Sequence, residues 1–179
     1  WTPDVYEGAA NETAGFVATL PKLGAVAIIL RLAAFIGVDR PDFVMILMIL
    51  SFFSMTVGNL SALIQTDIKR LAAYSSIAHA GYLMIGVLSQ SGEGFSAAVY
   101  YVAAYVLMNI ALFYVIYHVS RDSDNVTFVS LNGLYKKSPI LAATLAVSAL
   151  ALAGIPPTIG FTGKFMLFTS AIAKQHYGI

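Results

Sequence analysis

The chain has 179 residues, of which 59% are hydrophobic and 11% charged, and its mean hydropathy is +0.79. This is the composition of a membrane protein, and it leaves no room for a soluble catalytic domain because each crossing takes about 20 residues. A net charge of +1 excludes a basic nucleic-acid-binding face, and the lack of cysteine excludes a disulfide framework, a thiolate metal site and a thiol nucleophile.

The N-terminal residues 1–11 do not resemble a signal peptide, because they contain neither a basic region nor an apolar core. Since the chain opens with Trp1, we expect an internal piece of a longer protein. We predict that residues 1–179 form a single membrane domain with an all-α fold. The expected architecture is a polytopic transmembrane helix bundle of about five full spans plus a discontinuous helix.

Gaps between charged residues mark the spans, since an ionised group at the bilayer centre costs at least about 2.5 kcal/mol. The first span carries two cations, Lys22 and Arg31, and the third contains His79 beyond its basic start. The second and fourth have no Lys, Arg, Asp or Glu. The uninterrupted spans are predicted at about residues 14–37, 43–66, 68–88 and 95–119.

Residues 140–173 predict a broken span, in which Lys164 is the only charge. Pro156 and Pro157 lack a backbone donor, so they free carbonyls that hydrocarbon cannot satisfy, and the break must face protein or water. Many transporters place their ion sites at such breaks. The predicted halves are residues 140–154 and 162–173.

Loop charges predict the orientation of the chain in the membrane. By the positive-inside rule, the more basic face is cytoplasmic, and the Trp1 end lies on the same side. The cytoplasmic cations are Lys69, Arg70, Arg121, Lys136 and Lys137. The opposite face carries Arg40 and Lys174.

Lys22 is a candidate proton-handling residue inside the first span. It follows Pro21, which leaves the Val17 carbonyl without its usual helical partner. Burial disfavours the charged form of an amine, so a buried lysine can gain and lose a proton near neutral pH, whereas an arginine cannot. The alternative is a structural cation that reaches the headgroups or pairs with a carboxylate elsewhere. Arg31 lies about 180° around the helix and can snorkel to the headgroups.

The same argument applies to Lys164 beside the helix break and, in part, to His79. An ionisable residue near the middle of a span indicates an ion or proton pathway, although His79 can also be a structural, hydrogen-bonded histidine. Tyr101, Tyr105 and Asn109 form a polar stripe that either bonds water or only packs. The further relay candidates are Lys69, Tyr105 and Asn109, and Lys69 is also explained as a topology anchor with Arg70. We expect no metal ligands and no redox cofactor in this chain.

Four strings resemble the antiporter-like membrane subunits of respiratory complex I, the proton-pumping NADH:quinone oxidoreductase. They occur in the family's order and are spread over residues 1–165, nearly the whole chain. Lysine in the last string, where a related branch has glutamate, is typical of the bacterial N branch. One departure is "EGAANETAGF", where the family usually reads "EGAPTPVTAF". The strings are "WTPDVYEGA", "ATLPKLGA", "GNLSALIQTDIKRLAAYSSIAHAGYL" and "AGIPPTIGFTGKF".

The resemblance implies a longer subunit of about fourteen helices in two inverted repeats. This sequence would run from the end of the seventh helix to the twelfth. Lys22 matches the lysine of the eighth helix in the proposed proton channel, and Lys164 matches that of the broken twelfth helix. His79 falls in the tenth helix on the polar axis between them. A glutamate and a lysine of the family would lie upstream of Trp1.

The implied function is proton translocation coupled to quinone reduction, in a multi-pass subunit of the bacterial inner membrane. The implied partners are other membrane subunits of complex I and the lipid bilayer, with no nucleic acid. FMN, iron–sulfur clusters and quinone would lie elsewhere in the complex. Two alternatives remain: a subunit of a multi-subunit cation/proton antiporter or membrane-bound hydrogenase, and a purely structural membrane arm.

Overall fold

The computed structural model describes residues 1–36, 41–120 and 125–173, and this part of the chain is almost entirely helical. Besides the α-helices, the described residues contain a short 3-10 helix at Val129–Leu131 and one isolated β-bridge between Asp67 and Thr127. The α-helices are α1 Thr2–Gly8, α2 Asn11–Ile36, α3 Pro41–Ala62, α4 Ile68–Leu88, α5 Gly92–Val119, α6 Leu134–Lys137, α7 Pro139–Ala153 and α8 Ile159–Ala173.

The predicted fold class, an all-α membrane bundle, is confirmed. Within the described residues, four helices, α2 to α5, have the length and hydropathy to cross a membrane. Chain length at about 20 residues per crossing predicted about five full spans, whereas the charge gaps predicted four uninterrupted spans, which correspond to α2 to α5. The shorter α7 and α8, 15 residues each, form the two halves of the discontinuous helix.

Local capping explains where the helix ends differ from the predicted spans. The carboxylate of Asp67 accepts a hydrogen bond from the Arg70 amide, so α4 starts there and α3 has already ended at Ala62 rather than near residue 66. Ser91 caps α5 in the same way, so α5 starts at Gly92, three residues before the predicted start at residue 95. The second half of the broken helix begins at Ile159, not residue 162.

Helix α5 lies at the centre of the bundle, where it packs against α2, α4, α7 and α8. Its tyrosines Tyr101 and Tyr105 are fully buried among these helices. Helices α2 and α3 expose most of their apolar side chains, as expected of surfaces that face lipid or further protein. Helix α5 therefore positions the polar residues of the interior.

Helices α3 and α4 pack in close antiparallel contact through two glycines. A Cβ added at Gly58 would lie 2.6 Å from the Ala78 amide nitrogen, and one at Gly81 would lie 2.8 Å from the Ser51 carbonyl oxygen. The Ser51 hydroxyl also donates to the Gly81 carbonyl at 2.8 Å. Small residues allow such backbone approach between membrane helices.

We expect Gly58→Ala to destabilise the complete subunit by about 1–3 kcal/mol, because the added methyl group meets backbone atoms that cannot move independently. The thermal midpoint of the purified protein in detergent measures this change. Gly24→Ala is the matched control, since a Cβ there meets no atom of the described chain within 4 Å. Equal midpoints for the two variants would contradict the close contact.

Helix α1, the start of α4 and the segment after residue 124 lie together at one end of the bundle. Arg70 pairs with Asp4 at 3.0 Å and with Glu7 at 2.5 Å, and the Ile68 amide donates to the Val126 carbonyl. This grouping agrees with the predicted placement of the Trp1 end beside the start of the third span. Arg40, Arg121 and Lys174, which also entered the predicted orientation, lie outside the described residues.

Candidate functional site

Lys22 projects from α2 towards α5, and its amine meets a buried tyrosine. The Nζ atom donates to the Tyr105 hydroxyl at 2.6 Å and lies 4.7 Å from the centroid of the same ring. Tyr6 of α1 forms a second wall, with its ring centroid 5.9 Å from Nζ. In the described ranges, no carboxylate forms an ion pair with Lys22. Arg31 is exposed, as predicted from its position on the opposite side of α2.

His79 is buried in the middle of α4 and is surrounded by three tyrosines. Its Nδ1 atom forms a 2.5 Å hydrogen bond with the Tyr101 hydroxyl, and the tautomer decides which group donates. The His79 ring lies 5.1 Å from the Tyr105 ring and 5.9 Å from the Tyr82 ring, centroid to centroid. The histidine therefore contacts the tyrosine that bonds Lys22.

Lys164 reaches back across the helix break. Its amine donates to the carbonyl of Leu152 at 3.1 Å and to that of Ala153 at 3.0 Å, the last two residues of α7. The last four carbonyls of a helix have no intrahelical partner and carry partial negative charge. The backbone amide of Gly154 donates to the carbonyls of Leu150 and Ala151. The last four carbonyls of α7 therefore all have a hydrogen-bond donor, two of them from the Lys164 amine.

Gly154 makes this arrangement possible in two ways. Its φ angle of +82° is in the left-handed region, which ends α7 and which side chains with a Cβ rarely adopt. A Cβ at this position would also lie 2.9 Å from the Cδ of Lys164. The break therefore needs glycine both for its turn and for space beside the amine.

Two cavities meet at His79. The first, about 90 Å³, is lined by Lys22, Ser76, His79 and Tyr105 together with apolar side chains. The second, about 450 Å³, is lined by His79 and Lys164 and has the Tyr82 ring between them, 4.7 Å from the lysine amine. Each is large enough to hold water, and the second has the more polar lining, whereas apolar side chains form nearly all of the surface of the first. His79 thus separates a Lys22 compartment from a Lys164 compartment.

The other two predicted candidates occupy different positions. Asn109 is buried, and its amide donates to the Tyr105 carbonyl at 2.9 Å, one turn back in α5. Lys69 is 1% exposed and donates to the Ala9 carbonyl at 2.9 Å, so it caps α1 and does not face headgroups. It lies ten residues from His79, about 15 Å along α4. Lys69 is therefore not part of the cluster around His79.

Sequence reasoning missed several members of the site. The carbonyls of Leu152 and Ala153 were foreseeable in kind, because a broken helix leaves free carbonyls, but no pattern paired them with Lys164. Tyr82 was not among the predicted candidates. Tyr6 and Ser76 had no signal of their own, since a tyrosine in a short segment and a serine in a span are common.

The fold and this buried axis define a polytopic helical membrane protein with ionisable groups in its interior, one of which, Lys164, lies at a helix break. A profile described as "NADH:quinone oxidoreductase/Mrp antiporter, TM" matches residues 1–179. The chain belongs to this family, which confirms the resemblance seen in its sequence. The predicted location, multi-pass in the bacterial inner membrane, is likewise confirmed by the family, its bacterial relatives and the apolar helices.

Curated relatives and solved structures agree with this assignment. The chain is 53% identical over 171 residues to NADH-quinone oxidoreductase subunit N 2 of Solidesulfovibrio magneticus, covering 96% of this chain and 36% of the relative. It is 50% identical over 176 residues to the Opitutus terrae protein of the same name, covering 98% and 37%. It also matches a chain of respiratory complex I from Thermus thermophilus with a TM-score of 0.86 and 39% identity, covering 99% and 39%. The chain thus spans little more than a third of these relatives.

Proposed function

We propose that this chain is part of a proton-translocating membrane subunit of NADH:quinone oxidoreductase. In this proposal, Lys22 and Lys164 exchange protons by way of His79. The observation that carries it is the position of His79, which lines both the cavity that contains Lys22 and the cavity that contains Lys164. The printed names of the relatives support the same activity.

The geometry supports a relay in two steps. A proton leaves the Lys22 amine, which is hydrogen-bonded to Tyr105, and crosses the first cavity to His79. Imidazole has two nitrogens, so it accepts a proton on one and releases a proton from the other. The released proton crosses the second cavity to Lys164. Because Nδ1 is bonded to the Tyr101 hydroxyl, Nε2 carries out one of these transfers and the other passes through that hydroxyl.

Electrostatics couples the steps. Lys22 and Lys164 each share a cavity with His79, so a change of charge on either lysine alters the proton affinity of the histidine between them. Protonated Lys164 is stabilised by the carbonyls at the end of α7, in the position that a helix dipole favours for a cation. Moving one charge against 100 mV takes about 2.3 kcal/mol, and modest changes in the proton affinities of the two lysines can supply this free energy.

Quinone reduction would provide the driving force from outside this chain. We place FMN, the iron–sulfur clusters and quinone in other subunits, and we propose that the partners of this chain are other membrane subunits of the complex. A change of charge near one of the buried lysines would then act on the next one, because charges in low-dielectric surroundings are screened much less than charges at a surface. This chain itself would carry out no redox chemistry.

Substituting Lys164 with alanine in the complete enzyme tests the proposal. We expect fewer protons pumped per electron with an assembled quinone reductase, because the second compartment loses its proton acceptor. Proton uptake by vesicles, measured together with quinone reduction, gives the ratio. Lys136→Ala is the control, since Lys136 is an exposed cation outside the site. An unchanged ratio in the assembled Lys164 variant would favour a purely structural arm.

A second candidate function is cation/proton exchange, because the family description includes Mrp antiporters. The same lysines would serve, so the site alone does not separate the two functions. Proton movement that requires Na⁺ or K⁺ on the opposite side, and that continues without quinone reduction, would favour the antiporter. The identities to oxidoreductase subunits favour the first candidate.

A further inference from the structure

Tyr82 of α4 presents the face of its ring to the amine of Lys164, and the relay described above gives this ring no role. The lysine Nζ stands over the ring, 4.7 Å from its centroid. The face of an aromatic ring carries the negative part of its quadrupole and attracts a cation within about 6 Å. A neutral amine lacks the charge on which this attraction depends. The ring therefore favours the ammonium form of Lys164 over the neutral form.

The ring adds to a cation site that is otherwise built from backbone. The Lys164 amine donates to the carbonyls of Leu152 and Ala153, which carry the partial negative charge of a helix C-terminus. Among the described residues, no carboxylate lines the cavity that holds Lys164. The compensation that these residues offer to the ammonium charge thus comes from two carbonyl dipoles and one aromatic face.

The Tyr82 ring is fixed in place from α3. The side-chain amide of Asn59 donates to the Tyr82 hydroxyl at 3.1 Å. Asn59 directly follows Gly58 and Tyr82 directly follows Gly81, the two glycines at which α3 and α4 pack too closely for a Cβ. Because this contact prevents the helices from sliding past each other, donor and acceptor stay in register. The ring is also packed edge-on against His79 and Phe168, with centroids 5.9 and 6.4 Å away.

Few other titratable groups face Lys164. Helix α7 has none in Pro139–Ala153. The tyrosines nearby are neutral at pH 7, and the acidic side chain of α5 lines a separate groove with the last turns of α8. The histidine of α4 is therefore the titratable neighbour that shares the cavity. The titratable side chains that face α8 or this cavity, besides Tyr82, are His79 of α4 and Glu93, Tyr100 and Tyr101 of α5.

We propose that Asn59 and Tyr82 form a positioning pair for Lys164. The asparagine fixes the ring, and the ring stabilises the ammonium form after the lysine has taken up a proton. Neither residue gives or takes a proton in this role. Through the pair, α3 acts on the second compartment, although it carries no group of the relay. This inference rests on the proposed function, because it assumes that Lys164 changes its protonation state during turnover.

Tyr82→Leu in the complete enzyme tests the pair, because it removes the ring and keeps an apolar side chain. Without the ring, the lysine loses its proton at lower pH, so the alkaline limb of the pH profile of pumping should move down by about one pH unit. On that limb the pumping rate falls by up to about tenfold, and at acidic pH, where the lysine stays charged, it is unchanged. A merely structural role would lower the rate by the same factor at every pH.

The chain offers a matched control in a second pair of lysine and tyrosine. The amine of Lys136 lies 5.7 Å from the centroid of the Tyr135 ring, and both residues are exposed outside the site. Tyr135→Leu should leave the pH profile of pumping unchanged. The profile is recorded with a pH-sensitive dye in vesicles during quinone reduction.

Tyr82→Phe and Asn59→Leu test the asparagine, because each removes the hydrogen bond that fixes the ring and keeps the ring itself. We expect both to move the alkaline limb in the same direction as Tyr82→Leu, but by less. The double variant should move it no further than either single variant, since both changes remove one and the same bond. These variants also decide the case in which Tyr82→Leu assembles poorly.

An unchanged alkaline limb in Tyr82→Leu, or in both Tyr82→Phe and Asn59→Leu, would overturn the positioning pair. An equal shift in Tyr135→Leu would do the same. If Lys164→Ala still lowered the number of protons pumped per electron, only this inference would fail. If Lys164→Ala had no effect on that ratio, the proposed function itself would fail.

Discussion

Replacing Lys22 by methionine or by arginine in the complete enzyme is expected to remove proton translocation through this site and to leave assembly intact. Methionine keeps the length and apolar stem of the side chain but has no proton to exchange. Arginine keeps the positive charge but does not release its proton in proteins. We expect turnover coupled to pumping to fall by a factor on the order of 10²–10⁴ in both variants, the range typical for loss of a proton-transfer group.

The arginine variant separates a relay from a structural cation. If Lys22 only supplied positive charge beside Tyr105, arginine would restore pumping while methionine would not. Arg31→Met is the matched control, because Arg31 is a second cation of α2 that faces outwards. Proton uptake by inverted vesicles, recorded with a pH-sensitive dye during quinone reduction, measures the effect. Normal pumping by Lys22→Arg would show that Lys22 does not lose its proton.

Gly154→Ala is expected to reduce pumping about as much as loss of Lys164, although it changes no ionisable group. The left-handed backbone costs a residue with a Cβ roughly 1–2 kcal/mol. The same Cβ would lie 2.9 Å from the Cδ of Lys164. The Lys164 side chain must then shift, which weakens the hydrogen bonds of its amine to the carbonyls of Leu152 and Ala153. Proton uptake per electron measures the result.

The chain contains a control for the backbone part of this effect. Gly133 has a φ angle of +74°, and a Cβ there meets no heavy atom of the described chain within 4 Å. Gly133→Ala should therefore cost a similar free energy of folding and leave the proton ratio unchanged. The interpretation fails if the two variants lower pumping equally, since backbone strain alone would then explain the loss.

The principal candidates of the site were predictable from sequence for an energetic reason. Lys22, His79 and Lys164 were recognised because ionisable groups inside apolar spans are costly, so each one needs a role or a partner. Their roles remain proposals. Asn109 and Lys69 show the limit of this reasoning: each bonds a backbone carbonyl and lines neither of the two cavities at His79, and this placement depends on the packing of neighbouring helices.

The helix positions were predictable to the same degree. Apolar runs and the two prolines at residues 156 and 157 mark the spans and the break, because hydropathy and a missing amide are local properties. The exact residues at which the helices begin were not predictable, since they depend on individual capping residues such as Asp67 and Ser91. Residues 129–131 and 134–137 form short helical turns, which chain length alone does not distinguish from part of a further span.

The sequence by itself therefore determined that this is an all-helical membrane chain, which residues lie in its spans, and where one helix is interrupted. Only the tertiary structure decided that Lys22 meets Tyr105, 83 positions away, and that His79 lies between two cavities. The physical reason is that the rotation and crossing of packed helices depend on contacts between distant residues. Close approaches at glycines such as Gly81 set those contacts, and hydropathy does not record them.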